Sequence, residues 1–212
     1  MSDGIAGDKP ATDLTYPVSQ KLSINFSAFE DRLIVRAERM GTGPATLLFT
    51  RRMTILVLQQ VVARLPELSA LDKTPAAYWQ EVLQMSHQHA MQAKTDADNA
   101  EKQAREDAIN AGDQVAAVTP DSGGNNIYLA TELSVQLNDK RLMLAFRGLQ
   151  MPGAMTRPSQ HEPVLAIPLT VDNVHQLIEL LMVKAHEAQW HLPVDLPWMS
   201  GTPVESPGKT LN

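Results

Sequence analysis

The strongest constraint on the fold is a strand–strand–strand–helix pattern that occurs twice. In residues 21–27 apolar and polar side chains alternate, which predicts a half-buried strand, and residues 32–38 follow as its hairpin partner. A Gly- and Pro-rich break then precedes a third strand at residues 46–49. Thr50 is placed to cap a helix through its hydroxyl, and Pro66 predicts the end of that helix or a kink.

The same order returns after residue 126. Residues 132–137 and 141–147 match the first two strands in polarity, and residues 164–167 supply a third strand. Thr170 again stands where a helix cap belongs. Because element order, caps and breaks recur together, we predict an internal pseudo-repeat. The alternative is that any two amphipathic hairpins look alike.

We therefore predict an α+β fold of two pseudo-repeated ββ(β)βα units, where the parentheses mark a short extra strand in the third connection. Each unit has one apolar sheet face and one helix, so two units can pair into a single core. The predicted segments are a flexible N-terminal arm (1–20), the first repeat (21–66), a helical insert and loop (67–126), the second repeat (127–191) and a Pro-rich tail (192–212).

The insert is typical of one long helix that carries a stripe of small residues. Pro75 suits its first turn, and alanines then recur at steps of three or four between charged and amide residues. Such a stripe lets a second helix approach closely, although alanine is also simply a good helix former on a solvated surface. Both interpretations stay open. The predicted partner-helix residues are Ala90, Ala93, Ala97, Ala100 and Ala104.

Two further segments are candidate contact sites. Two arginines follow the cap residue, where the helix dipole disfavours cations by about 0.3–1 kcal/mol each, so they favour an anion or a partner's carboxylates. The alternative is local pairing with Glu67 or Glu38. The predicted anion- or partner-binding residues are Arg51, Arg52 and Arg36. In the tail, Leu196, Pro197 and Trp198 either lie across the body or dock on another protein.

Composition and motifs exclude several classes of protein. The chain has 18 Lys and Arg against 24 Asp and Glu, a net charge of -6 and no cysteine, so a disulfide scaffold, a thiolate metal site and a strongly basic nucleic-acid binder are disfavoured. No phosphate loop, nucleotide fingerprint or hydrolase elbow occurs. We expect no enzyme and no cofactor. The lack of a signal peptide or long apolar run predicts no membrane and a cytoplasmic location.

The six histidines are predicted to be structural. His87 and His89 would face apart on a helix, so they cannot easily share a metal ion. His175 and Glu179 are four residues apart and could both contact a metal, but two ligands are too few for a site. No metal site is therefore expected.

Two functions remain. The preferred one is a non-catalytic scaffold or adaptor that forms a homodimer or binds a protein partner through the sheet domain, the insert and the tail. The second is single-stranded nucleic-acid binding, because tandem strand-rich repeats closed by helices resemble the general plan of PUR-repeat and Whirly proteins. That resemblance is topological and has no sequence motif. The residues it would use are the arginines Arg32, Arg36, Arg51, Arg52, Arg141 and Arg147, with Phe26, Phe29 and Phe146 as stacking platforms.

Overall fold

The structure, a computed structural model, describes residues 15–19, 21–110, 126–138 and 140–199. Its strands are β1 (Leu22–Ser27), β2 (Arg32–Arg39), β3 (Gly43–Phe49), β4 (Ile127–Asn138), β5 (Arg141–Gln150) and β6 (Glu162–Leu169). Its α-helices are α1 (Arg51–Leu68), α2 (Trp79–Asn110) and α3 (Val171–Glu187). None of the described helices combines the length and apolarity needed to cross a membrane.

The strands form one mixed sheet in which neighbours in sequence are neighbours in space. Every pair is antiparallel except β3 and β4, which run parallel with Leu48 opposite Leu129. The α+β class is therefore confirmed. Each half has three strands followed by a helix, and the optional extra strand is absent from both described connections, since residues 40–42 form a turn and the longer one contains a 3-10 turn at Gly153–Met155. The internal repeat stays a prediction.

Helices α1 and α3 pack on one face of the sheet, and each half covers part of the other. Helix α1 contacts β4, the first strand of the second half, while α3 contacts β1, the first strand of the first half. Phe49 and Phe146 bring the halves together, with ring centroids 5.1 Å apart. Helix α3 also packs against α1 and α2. The two halves therefore share one hydrophobic core.

The predicted helix caps are present in both halves. The Thr50 hydroxyl accepts a hydrogen bond from the Met53 amide at 3.2 Å. The Thr170 hydroxyl accepts one from the Asn173 amide at 3.3 Å, and Asn173 completes a capping box. Pro66 does not end its helix, because α1 continues for two residues beyond it to Leu68. A proline in the last turn removes only one amide donor, which the helix tolerates there.

The prediction of a flexible N-terminal arm is wrong for residues 17–19. The Ala166 amide donates to the Pro17 carbonyl at 2.8 Å, and the Ser19 amide donates to the Ala166 carbonyl at 3.0 Å. The Met40 amide donates to the Val18 carbonyl at 2.9 Å. Residues 17–19 thus join the end of β2 to β6. The composition of the segment did not predict this backbone pairing. Residues 1–14 and 20 of the predicted arm lie outside the described residues.

Gly148 tests how closely β4 and β5 approach each other. A Cβ at this position would lie 2.7 Å from the Leu129 carbonyl oxygen, which is backbone and cannot move aside. We predict that Gly148→Ala lowers the free energy of unfolding by about 1–3 kcal/mol in urea denaturation. Gly153→Ala is the matched control, because its nearest neighbour is the end of the Arg157 side chain at 3.7 Å. Equal stability of the two variants would contradict this packing.

Candidate functional site

The paired arginines begin α1 and are both exposed. Arg51 Nη2 donates to the His191 carbonyl at 3.3 Å. Among the described residues no acidic side chain lies within 4 Å of either guanidinium, and Glu67 pairs instead with Arg64 at 3.3 Å. The predicted pairing with Glu67 is therefore wrong. An open depression of about 500 Å³ starts at the arginines and continues along Ile55, Leu56 and Gln59.

Arg36 does not join these two arginines. Its side chain is exposed on β2, opposite Thr46 in the register, and lies on the face of the sheet away from the helices. We call that face the outer face. Thr46 precedes Thr50 by four residues of extended chain, which is roughly 13 Å at about 3.3 Å per residue. The structure therefore splits the predicted anion site into two places.

The outer face carries four of the six arginines of the nucleic-acid hypothesis, whereas Arg51 and Arg52 begin α1. Of its three phenylalanines, Phe146 is buried and Phe26 is half-buried. Arg32 and Arg36 alternate with the buried residues of β2, and Arg141 and Arg147 alternate with those of β5. Phe29 is fully exposed in the turn between β1 and β2. Between the arginines an apolar row crosses four strands in register. Its members are Ile34, Leu48, Leu129 and Leu149.

Arg147 belongs to a polar network that the sequence did not predict. Its Nη1 donates to Glu132 Oε2 at 2.8 Å and its Nη2 donates to the His161 carbonyl at 2.8 Å. Glu132 Oε1 lies 2.6 Å from His161 Nδ1. The hydrogen bond from His161, followed by the attraction of Arg147, lowers the pKa of Glu132. Arg147 is thus held by local partners.

This network lacks the geometry of a nucleophile and its base. The Thr131 hydroxyl lies 3.3 Å from His161 Nδ1, the same nitrogen that contacts Glu132. In a Ser–His–Asp arrangement the nucleophile and the acid contact opposite ring nitrogens, so that the ring can relay a proton. Here both contacts fall on one nitrogen. The network lies beside two register shifts, at Thr131 in β4 and at Val164 in β6.

The alanine stripe divides into a buried start and an exposed remainder. Leu83, His87 and Ala90 are buried, and Gln176 on α3 donates to the Ala90 carbonyl at 3.1 Å. Every residue from 92 to 107 is exposed, including Ala93, Ala97, Ala100 and Ala104. We call residues 92–107 of α2 the distal helix. Of the five predicted partner-helix residues, Ala90 is therefore occupied by this chain's own α3.

The tail does not form a free peptide at its predicted docking residues. Leu196 and Trp198 are each 5% exposed and belong to the core, whereas Pro197 is exposed. The prediction of a docking peptide is wrong for Leu196 and Trp198, because another protein could reach them only by displacing them. The open alternative, in which the tail lies across the body, is what the structure has. Residues 200–212 of the tail lie outside the described residues.

Two histidines that the sequence separates by 88 positions meet beneath this tail. The ring centroids of His87 and His175 are 5.6 Å apart, and each ring lies edge-on to Trp198 at 5.3 and 5.2 Å. We call these three residues the His–Trp cluster. No group of three or more His, Asp or Glu side chains able to hold a metal occurs in the part of the chain that the structure describes.

Comparisons with known proteins leave the geometry as the basis for a functional assignment. No protein-family model matches the chain, and searches of curated proteins and of solved structures also found no match.

The exposed arginines at the start of α1 should be dispensable for folding. Replacing both with alanine removes two cations from the positive end of a helix dipole, each worth about 0.3–1 kcal/mol, and loses one bond to His191. We predict that Arg51→Ala with Arg52→Ala keeps a cooperative thermal transition, with stability unchanged or slightly raised. Arg64→Ala, which removes an exposed cation later in the same helix, is the control. Loss of the cooperative transition in the double variant would make the pair structural.

Proposed function

We propose that this protein is a non-catalytic interaction protein whose distal helix is its main contact element. The single observation that carries the proposal is that residues 92–107 stay helical while every one of them faces solvent. This segment is roughly 24 Å long at about 1.5 Å per residue. An isolated helix of that length is marginal in water, so an anchored and exposed helix is well suited to binding another surface.

The distal helix is held by its first turns and by its own side-chain pairs. The turns of α2 that precede the distal helix pack on α3. Along the surface of the distal helix itself, Lys94 pairs with Asp98. Gln103 donates to Asp107 at 3.1 Å. Each such pair contributes about 0.2–0.5 kcal/mol to a helix. The helix can therefore remain formed before a partner arrives, which lowers the entropy cost of binding.

A second copy of the chain is the partner we propose first. Ala93, Ala97, Ala100 and Ala104 lie on one side of the distal helix, and small side chains let two such helices approach to about 8 Å. Charged and amide residues flank the stripe on both sides and can pair across an antiparallel dimer. The cytoplasm remains the proposed location.

The stripe supplies a direct test of self-association. We predict that Ala97→Glu with Ala104→Glu weakens dimerisation at least about tenfold, or ~1.4 kcal/mol, because it places two carboxylates inside the helix–helix contact. Sedimentation velocity across a concentration series measures the effect. Gln92→Glu with Asn99→Glu is the matched control, since it adds the same charge with the same spacing on the opposite side. This control should dimerise as the wild type does.

The outcomes separate clearly. A wild-type chain that sediments as a monomer at every concentration would overturn self-association. Equal weakening by both double variants would mean that added charge, and not the stripe, controls assembly. Circular dichroism of each variant confirms that the helix content is retained.

Single-stranded nucleic acid is the second candidate, and one observation favours it. Arg36 and Arg141 are exposed and Arg32 is half-buried, all on the same outer face. Two observations argue against it. Arg147 is held by Glu132, and among the described residues one aromatic ring, that of Phe29, is fully exposed for stacking with bases.

Fluorescence anisotropy with labelled single-stranded oligonucleotides tests this candidate. If phosphate contacts drive binding, the logarithm of the association constant falls linearly with the logarithm of the salt concentration. That slope becomes shallower by ~0.7 for each phosphate contact removed. Arg36→Ala with Arg141→Ala should reduce that slope, whereas Arg64→Ala on α1 should leave it unchanged. Absence of binding at low salt would end the nucleic-acid hypothesis.

A further inference from the structure

The His–Trp cluster joins three parts of the chain at one buried point. His87 comes from the base of α2, His175 from the first turns of α3 and Trp198 from the C-terminal tail. His175 is completely buried and His87 is 8% exposed. The cluster therefore holds the base of α2, helix α3 and the tail in contact with one another.

The cluster is built for neutral imidazoles. Both ring nitrogens of His175 and Nδ1 of His87 are buried, and none of the three has a hydrogen-bond partner among the described residues. A buried charge without such partners is costly, and two imidazolium ions with ring centroids 5.6 Å apart would also repel each other. Burial, assisted by the nearby His87, lowers the pKa of His175 to about 4, and burial also lowers the pKa of His87.

Few surrounding charges could compensate protonation. From α3, Glu179 Oε2 lies 3.4 Å from His87 Nε2, and Asp172 exerts a weaker attraction on His175. From α2, the exposed His89 lies 3.9 Å from Asp172 and competes for it. The tail contributes Trp198, which carries no charge. Each acid raises the pKa of its neighbouring histidine, but burial outweighs both attractions.

We propose that the His–Trp cluster is a proton-operated latch, in which protonation of His175 and His87 releases the Trp198 tail and the base of α2 from α3. Release would expose the surfaces of α3 and α2 that are now buried and would free the distal helix from its fixed direction. The release itself is a property of the single chain. Its effect on partner binding rests on the proposed function of the distal helix.

The direction and size of the effect follow from proton linkage. A histidine with a lowered pKa in the closed state stabilises that state fully above its ordinary value of 6.5, and this stabilisation is lost as pH falls towards about 4. Between about pH 7 and about pH 5, His175 alone shifts the equilibrium towards the open state roughly 20-fold. Protonation of His87 adds to this shift.

Hydrogen exchange measured by mass spectrometry tests the latch on the isolated full chain. After correction for intrinsic exchange rates, protection of the α2 base and of residues 188–199 should fall roughly 20-fold or more from about pH 7 to about pH 5. Peptides from β2 and β5 should change little. Equal protection at both pH values in the wild type would overturn the proposal.

Two variants connect the effect to the buried ring. His175→Phe keeps an aromatic ring that cannot be protonated, so the pH dependence of tail protection should largely disappear. His186→Gln removes an exposed histidine from the same helix and should leave the wild-type behaviour intact. A pH dependence that persists in His175→Phe would refute the role of His175.

A third measurement decides the matter if His175→Phe fails to fold. Nuclear magnetic resonance titration of wild-type His175 should show a midpoint well below 6.5, and a midpoint at the ordinary value would overturn the latch. The dimerisation test is done at neutral pH, where the latch is closed. Failure of one proposal can therefore be distinguished from failure of the other.

Discussion

The whole architecture depends on the exchange of helices between the two halves. A single half of three strands and a helix would leave its first strand uncovered, because α1 lies over β4 and α3 lies over β1. Each helix therefore covers strands of both halves, and the burial that stabilises the molecule is shared. Strands β3 and β4 pair in parallel, and this pairing joins the two halves side by side in one sheet.

Local patterns predicted the elements well because they are determined by near neighbours in sequence. Alternation identified the positions of the strands, and the hydroxyls of Thr50 and Thr170 identified both helix starts. Parallel pairing and the bridge between Val18 and Ala166 could not be predicted in this way, because they connect residues whose local patterns carry no information about each other.

The candidate sites show the same limit more sharply. The stripe made the long helix predictable, yet Ala90 is buried and Ala97 is exposed although both are alanines. Only tertiary contact distinguishes them. Similarly, Arg147 and Arg36 look alike in sequence, but Glu132 holds the first and the second points to solvent. The pairing of His87 with His175 had no sequence signal at all, since each histidine was preceded and followed by ordinary helical residues.

The backbone pairing of Val18 with Ala166 has a consequence for biosynthesis. The ribosome synthesises Val18 long before Ala166, so the N-terminal segment cannot form this pairing until Ala166 has been synthesised. Contacts between such distant residues slow folding, because closing the intervening loop costs conformational entropy before the contact contributes any stabilisation. The first hairpins can form during translation, but the sheet cannot acquire its final boundary until β6 has been synthesised.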